Sequence, residues 1–246
     1  MSPTRAIAEC NASRLNLEKL RGLINTKAFD LKTDRGNMNH LILASQSPRR
    51  IELLNKLGVE FEVVPSDKEE VIQPGLSPEE VVLSIAEQKA EDVASQLRKR
   101  IESEDGPFLI LAADTLVAYE GKLLGKPGDR NEAIDMLESL SGKTHTVHTG
   151  VVVFRAEKTK NNGGIKKSVI NAVETSYVTF RPLQRSEIEA YVETQEPMDK
   201  AGAYALQGIG AFLVSKVEGS DSNVIGLPVS RAVELLRRSG LKVLGI

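Results

Sequence analysis

Cysteine occurs once, at Cys10, and histidine three times in a chain of 246 residues. One thiol excludes an internal disulfide framework and suits a reducing compartment, and three histidines with one cysteine offer no zinc-ligand spacing. Long apolar runs are missing too. The longest, Phe108-Leu109-Ile110-Leu111-Ala112-Ala113, is far too short to span a bilayer, so no membrane partner is expected. An excess of one charge is also absent: 32 basic residues against 34 acidic ones leave a net charge of -2, and no overall field draws the chain onto nucleic acid. Any anion site must therefore be local. Residues 1–37 mix Arg5, Arg14, Arg21 and Lys27 with Glu9, Glu18 and Asp30 and hold no apolar h-region, which argues against a signal peptide. The expectation is a cytoplasmic protein in two parts. A polar extension over residues 1–37 carries a short amphipathic pattern at Leu15, Leu17, Leu20, Leu23 and Ile24, and a main domain covers residues 38–246.

What is present begins with 41% hydrophobic residues, ample for a core in one large domain or two lobes. Residues 41–58 organise the rest. Leu41-Ile42-Leu43-Ala44 reads as a buried strand, Ser45-Gln46-Ser47-Pro48-Arg49-Arg50 as a polar elbow, and Ile51, Leu53, Leu54 and Leu57 as the inner stripe of a helix stopped by Gly58. Ser47 is placed to cap that helix, with Pro48 at its first position. N–H groups at such a start, the Ser45 and Ser47 hydroxyls and the two arginines can hold an anion; the alternative is a capped helix with two solvated arginines. Val59, Phe61 and Val63 then alternate as a strand, followed by the acidic loop Pro65-Ser66-Asp67-Lys68-Glu69-Glu70, which is either a source of oxygen ligands for a hard cation or a solvated turn.

Ser77-Pro78-Glu79-Glu80 is a capping box that opens a helix running to about Arg98. Lys89 falls in the middle of its apolar stripe of Val82, Ile85, Ala86, Val93 and Leu97. Its ammonium either snorkels to solvent or meets an anion in a cleft. Residues 108–113 read as a fully buried strand with Asp114-Thr115 at its carboxyl end, where α/β sheets bind ligands; Asp114 needs a cation, a metal or hydrogen bonds to be buried there, or it serves as a turn cap. A hairpin turning at Glu120-Gly121 brings Lys126-Pro127 back toward it. Asp129 with Glu132, and Ser186 with Glu189, read as further capping boxes; residues 145–153, 175–180 and 211–217 read as strands. His145 and His148 face opposite ways on their strand, so no shared metal site is expected. In the small-residue loop after Glu196, Gln207 offers an amide that reads a nucleobase edge or satisfies loop carbonyls.

Six blocks then coincide in order: residues 41–50, Ala113-Asp114-Thr115, Gly125-Lys126-Pro127, Leu140-Ser141-Gly142, Asp199-Lys200-Ala201-Gly202-Ala203-Tyr204 and Gly226-Leu227-Pro228. On these the chain, over about residues 41–244, resembles the Maf family of nucleoside triphosphate pyrophosphatases. That resemblance implies a mixed α/β fold related to inosine triphosphatases, with a central sheet between two lobes, an inter-lobe nucleotide cleft and a homodimer. It matches Asp114 to the catalytic aspartate and Ser45, Arg50, Lys89 and Lys126 to phosphate-binding positions. Arg49, Thr115 and Gln207 match positions that separate subfamilies, and their identities point to the dTTP/UTP branch; Asp221 departs from an often aromatic position. A divalent cation (Mg, Mn or Co) on Asp114 and Glu70 completes the expected site. Two other readings stay open. One is a pyrophosphatase for 7-methyl-GTP or another purine nucleotide; the other, a nucleic-acid-binding or division-regulating module, needs a sustained basic surface that the charge balance does not provide.

Overall fold

The computed structural model describes residues 39–159 and 164–244. The expectation for the N-terminal extension lies outside those residues. In chain order the elements are β1 (His40–Leu43), α1 (Pro48–Asn55), β2 (Glu62–Val63), α2 (Pro78–Gln96), α3 (Arg98–Ser103), β3 (Phe108–Tyr119), β4 (Lys122–Leu124), α4 (Arg130–Leu140), β5 (Thr144–Lys158), β6 (Ile165–Phe180), α5 (Arg185–Glu193), β7 (Val214–Glu218), α6 (Asp221–Ile225) and α7 (Val229–Arg238). Short 3-10 turns at Glu196–Asp199, Ala201–Ala203 and Ile209–Leu213 join α5 to β7. The strands form one mixed sheet in the order β2-β1-β3-β5-β6-β7, with β4 also on β3. β1 is parallel to β2 and β3, and the remaining pairs are antiparallel.

Strand alternation divides β3 and β5 between two faces, and on each face the apolar series is broken at the same row. On one face Leu109, Leu111 and Ala113, with Val151 and Val153, pack against α1 and α7, while Val117 and Val147 join a second core with α4 and α5. Thr115 and Thr149, paired across the ladder, separate them. On the other face Phe108, Ile110 and Ala112 form a third core with α2, Leu116 and Ala118 a fourth, and Asp114 opposite Gly150 stands between. Two lobes thus share continuous strands across a polar row. No Cβ fits on Gly150, because one would lie 2.6 Å from the Val82 carbonyl carbon and oxygen. The missing side chain lets α2 lie directly on the sheet.

The edge of β3 opens at this row. β1 pairs with it only as far as Leu43 opposite Leu111, followed by the Ala44 N–H donating to the Leu111 carbonyl at 2.8 Å, and β4 takes over at Val117 opposite Leu124. Asp114 therefore lies in mid-strand, not at a strand end as the six-residue apolar run suggested. It is nevertheless just beyond the carboxyl end of β1, the parallel neighbour, where the ligand rule for such sheets applies.

Other local expectations are refined. Glu120 and Gly121 both have positive φ, 47° and 74°, and close β3 onto β4 as a two-residue hairpin. Ser77 and Glu80 cap α2 reciprocally. Ser47 makes no side-chain cap; its N–H donates instead to Ser45 Oγ at 3.2 Å. Asp129 accepts from the Glu132 N–H, but the Glu132 carboxylate turns to Gly128 N–H at 2.7 Å. The α5 start lies at Gln184 with Glu187, two residues before the Ser186 and Glu189 pair. β2 is only two residues long because this edge meets β1 at Glu62 and Val63 alone, while Val59 and Phe61 pack without a ladder. Residues 209–213 coil as a 3-10 turn before β7, since Gly208 and Gly210 are held against Glu196 and Tyr191.

Candidate active site

Around the open edge of β3 lies a cleft of roughly 780 Å³, lined by Ser45, Arg49, Arg50, Glu70, Lys89, Asp114, Thr115, Lys126 and Gln207. These are all nine residues singled out from the sequence. Asp114 is 9% exposed. Lys89, from the inner stripe of α2, places Nζ 2.6 Å from Asp114 Oδ1 and 2.7 Å from Glu70 Oε1. The lysine therefore does not snorkel to solvent; it is held between two carboxylates. Burial pushes the Asp114 carboxyl above the ordinary carboxylate range, against the opposing pull of Lys89 and Arg50.

Arg50 is fixed from three directions. Its Nε donates to the Gly226 carbonyl at 2.8 Å, Nη2 to Thr115 Oγ1 at 3.2 Å and Nη1 to Ser45 Oγ at 3.4 Å. Burial lowers its pKa, yet a guanidinium keeps its charge, and five N–H donors leave some for a ligand. Thr115 Oγ1 also lies 2.9 Å from Thr149 Oγ1, so its hydroxyl belongs to the polar row that orients Arg50. Arg49 faces Asp199 at 3.6 Å. Lys126, exposed on the cleft rim, has no acidic partner among the described residues, and its hairpin is tied to the opposite wall where Gly202 N–H donates to the Gly125 carbonyl at 3.0 Å. Gln207 is exposed at the rim, and its side chain makes no hydrogen bond among the described residues.

Sequence reasoning missed Lys200, whose side chain is 13% exposed in the cleft wall and donates to the Glu196 carbonyl at 2.7 Å and to Asp199. The Asp199-Lys200 pair stands in the sequence as a charged dipeptide at the head of a family block, with no spacing that assigns either side chain a role. Asn223 was missed as well: it is fully buried, and its Nδ2 donates to the Val147 carbonyl and Ser176 Oγ, both at 3.0 Å. It anchors the turn that presents the Gly226 carbonyl to Arg50. Asp221 is exposed and lies outside the cleft lining.

Among the described residues no group of three His, Cys, Asp or Glu side chains is arranged to hold an ion. Asp114 and Glu70, meeting one ammonium, supply two carboxylates. That donor set fits a magnesium-like ion, which takes one or two carboxylates and fills its remaining positions with water and phosphate oxygens.

The family model described as Maf-like protein matches residues 40–239. A dTTP/UTP pyrophosphatase of Caldicellulosiruptor bescii is 44% identical over 203 residues, 82% of this chain and 96% of that protein. One of Bacillus cereus is 43% identical over 207 residues, 84% and 93% of the two chains. Among solved structures, a nucleoside-triphosphatase / dITP/XTP pyrophosphatase from Mycobacterium abscessus matches at 12% identity and a TM-score of 0.33, over 82% of this chain and 96% of that one. A superposition that loose carries no argument.

Proposed function

Since this chain belongs to the Maf-like protein family, we propose that it is a nucleoside triphosphate pyrophosphatase that hydrolyses dTTP and UTP to the monophosphate and diphosphate. The observation that carries the reading is Lys89 at 2.6 Å from the buried Asp114, in a cleft whose other walls bring Arg50 and Lys126. A carboxylate set among fixed cations suits phosphoryl transfer, which depends on positioning and charge stabilisation rather than a covalent nucleophile.

In this mechanism a water attacks the α-phosphorus opposite the bond to the bridging oxygen. The new P–O bond forms as the old one breaks, and the electron pair leaves with pyrophosphate. Asp114 Oδ orients that water and accepts one of its protons; a carboxyl pushed upward by burial is a better base than an ordinary aspartate. Lys89 holds the carboxylate in place, and Arg50 and Lys126 neutralise phosphate oxygens. Asp114 and Glu70 are the side chains that would hold a divalent cation (Mg, Mn or Co), whose chemistry is to lower the water's pKa and to offset charge on the leaving group. In this reading Gln207, at the rim, and Arg49, in the cleft wall, meet the base. The reading includes a cytoplasmic homodimer; among the described residues no helix is long and apolar enough to cross a membrane.

A panel of nucleoside triphosphates with pyrophosphate detection tests the reading. Release from dTTP and UTP well above that from GTP, 7-methyl-GTP and ITP is expected. Preference for a purine nucleotide overturns the substrate assignment, and silence with every nucleotide overturns the activity.

A further inference from the structure

The strand ladder of β2 ends where the Val64 N–H donates to the Leu43 carbonyl at 3.1 Å. The next eight residues, 65–72, carry Glu70 over the cleft, and among the described residues no backbone-to-backbone hydrogen bond joins them to the sheet or to α2. They are held instead by one face of α2. Gln96 Nε2 donates to the Pro65 carbonyl at 3.3 Å. Asp92 Oδ2 accepts from Ser66 Oγ at 2.9 Å and from the Asp67 N–H at 3.0 Å, with Gln96 Nε2 also at 3.0 Å. At the far end Gln88 clamps both backbone groups of Val71, accepting from its N–H at 3.1 Å and donating to its carbonyl at 2.9 Å. Gln88, Asp92 and Gln96 stand four residues apart, so they form one row along the helix beside Lys89.

Asp92 is the unexpected member of that row. It is a carboxylate 8% exposed on a helix face that buries alanines and valines, where an ionised group is costly unless hydrogen bonds hold it. Burial raises its pKa, and the bonds from Ser66, the Asp67 N–H and Gln96, together with the charge of Lys68, more than reverse this, so it remains an anion. Glu70, by contrast, has a side chain 49% exposed and, among the described residues, a single partner, Lys89. A glutamate so placed is oriented only as well as its backbone is. Along the chain it lies between two tethers to α2, Ser66 and Asp67 held by Asp92 on one side and Val71 held by Gln88 on the other.

We propose that Asp92 is a positioning residue for the proposed pyrophosphatase reaction: it pins residues 65–72 to α2 so that the Glu70 carboxylate reaches Lys89 and the triphosphate. This inference rests on the pyrophosphatase reading. Its test is a double-mutant cycle on the full chain, with pyrophosphate release from UTP measured for wild type, Glu70→Gln, Asp92→Ala and the double variant. Hydrogen exchange of the nucleotide-free proteins is read alongside. If Asp92 acts through Glu70, Asp92→Ala lowers kcat/KM about tenfold, the equivalent of one charge-assisted hydrogen bond, and speeds exchange in residues 65–72 while core strands stay protected. In the Glu70→Gln background it lowers kcat/KM no further. Ser66→Ala, which removes a donor from the loop and leaves α2 intact, shows the same pattern at smaller size and serves should Asp92→Ala fold poorly. Losses that multiply in the double variant, or unchanged exchange in residues 65–72, overturn the inference while leaving the activity standing. A wild-type protein that releases no pyrophosphate overturns the activity and this inference with it.

Discussion

Burial and charge pull the Asp114 carboxyl in opposite directions, and burial wins. Because its folded-state pKa lies above its unfolded one, the ionised group opposes folding at neutral pH, and that cost disappears as pH falls below both values. One consequence concerns turnover and one concerns stability. The acid limb of kcat/KM against pH reports the essential base of the free enzyme, so it is expected above the range of an ordinary aspartate; a limb within that range removes Asp114 from the role. Asp114→Asn keeps the shape without the charge, and thermal unfolding should place its Tm at or above that of wild type. A clear fall in Tm would mean that the Lys89 contact stabilises the fold more than burial opposes it. Lys89 itself was legible as an anomaly, a cation on an apolar stripe, but the stripe alone did not say whether it met solvent or Asp114. That choice depends on how closely α2 approaches the sheet.

The approach of α2 is decided at Gly150, across the ladder from Asp114. A Cβ there would sit 2.6 Å from Val82 backbone atoms and 2.8 Å from the Leu83 nitrogen, and hydrogen-bonded helix backbone cannot yield as a flexible side chain does. Gly150→Ala is therefore expected to lift α2, costing about 1–3 kcal/mol of stability as other overpacked sites do, and to cut turnover by drawing Lys89 away from Asp114. Denaturant unfolding and pyrophosphate release check the two effects; a variant with native activity would show that α2 does not set the Lys89 reach. Elements with local causes were legible in the chain: the α2 capping box, the Glu120-Gly121 hairpin, the stop at Gly58. Those that depend on a partner were not. β2 is two residues long because, among the described residues, only Glu62 and Val63 pair with β1, and the 209–213 segment, apolar enough for a strand, coils because Glu196 and Tyr191 occupy the space beside Gly208 and Gly210.

Across the molecule, the boundary between lobes is written as polar interruptions in two apolar strands, Asp114-Thr115 and Thr149-Gly150, and their alignment into one row is a matter of register that no local pattern states. Within the α4 and α5 core, His145 is 2% exposed, edge-on to Phe180 and Tyr204, with Nε2 2.9 Å from the Tyr204 hydroxyl. Burial lowers its pKa from 6.5 to about 4. Between those values the unfolded chain binds a proton that the folded one refuses, so stability falls as pH drops through that window, by up to about 3 kcal/mol. His148, also lowered by burial, adds in the same direction. Urea unfolding from pH 7 to pH 4 should show the slope, and His145→Gln should flatten it; an unchanged slope would place the acid sensitivity elsewhere.

Whether the converging charges perform hydrolysis is asked most directly by incubating UTP with wild type and Asp114→Asn side by side, resolving the phosphate products and measuring nucleotide affinity for each. Equimolar UMP and pyrophosphate from wild type, with retained affinity and no turnover in the variant, is the predicted result. Orthophosphate in place of pyrophosphate, or a variant as active as wild type, would contradict it.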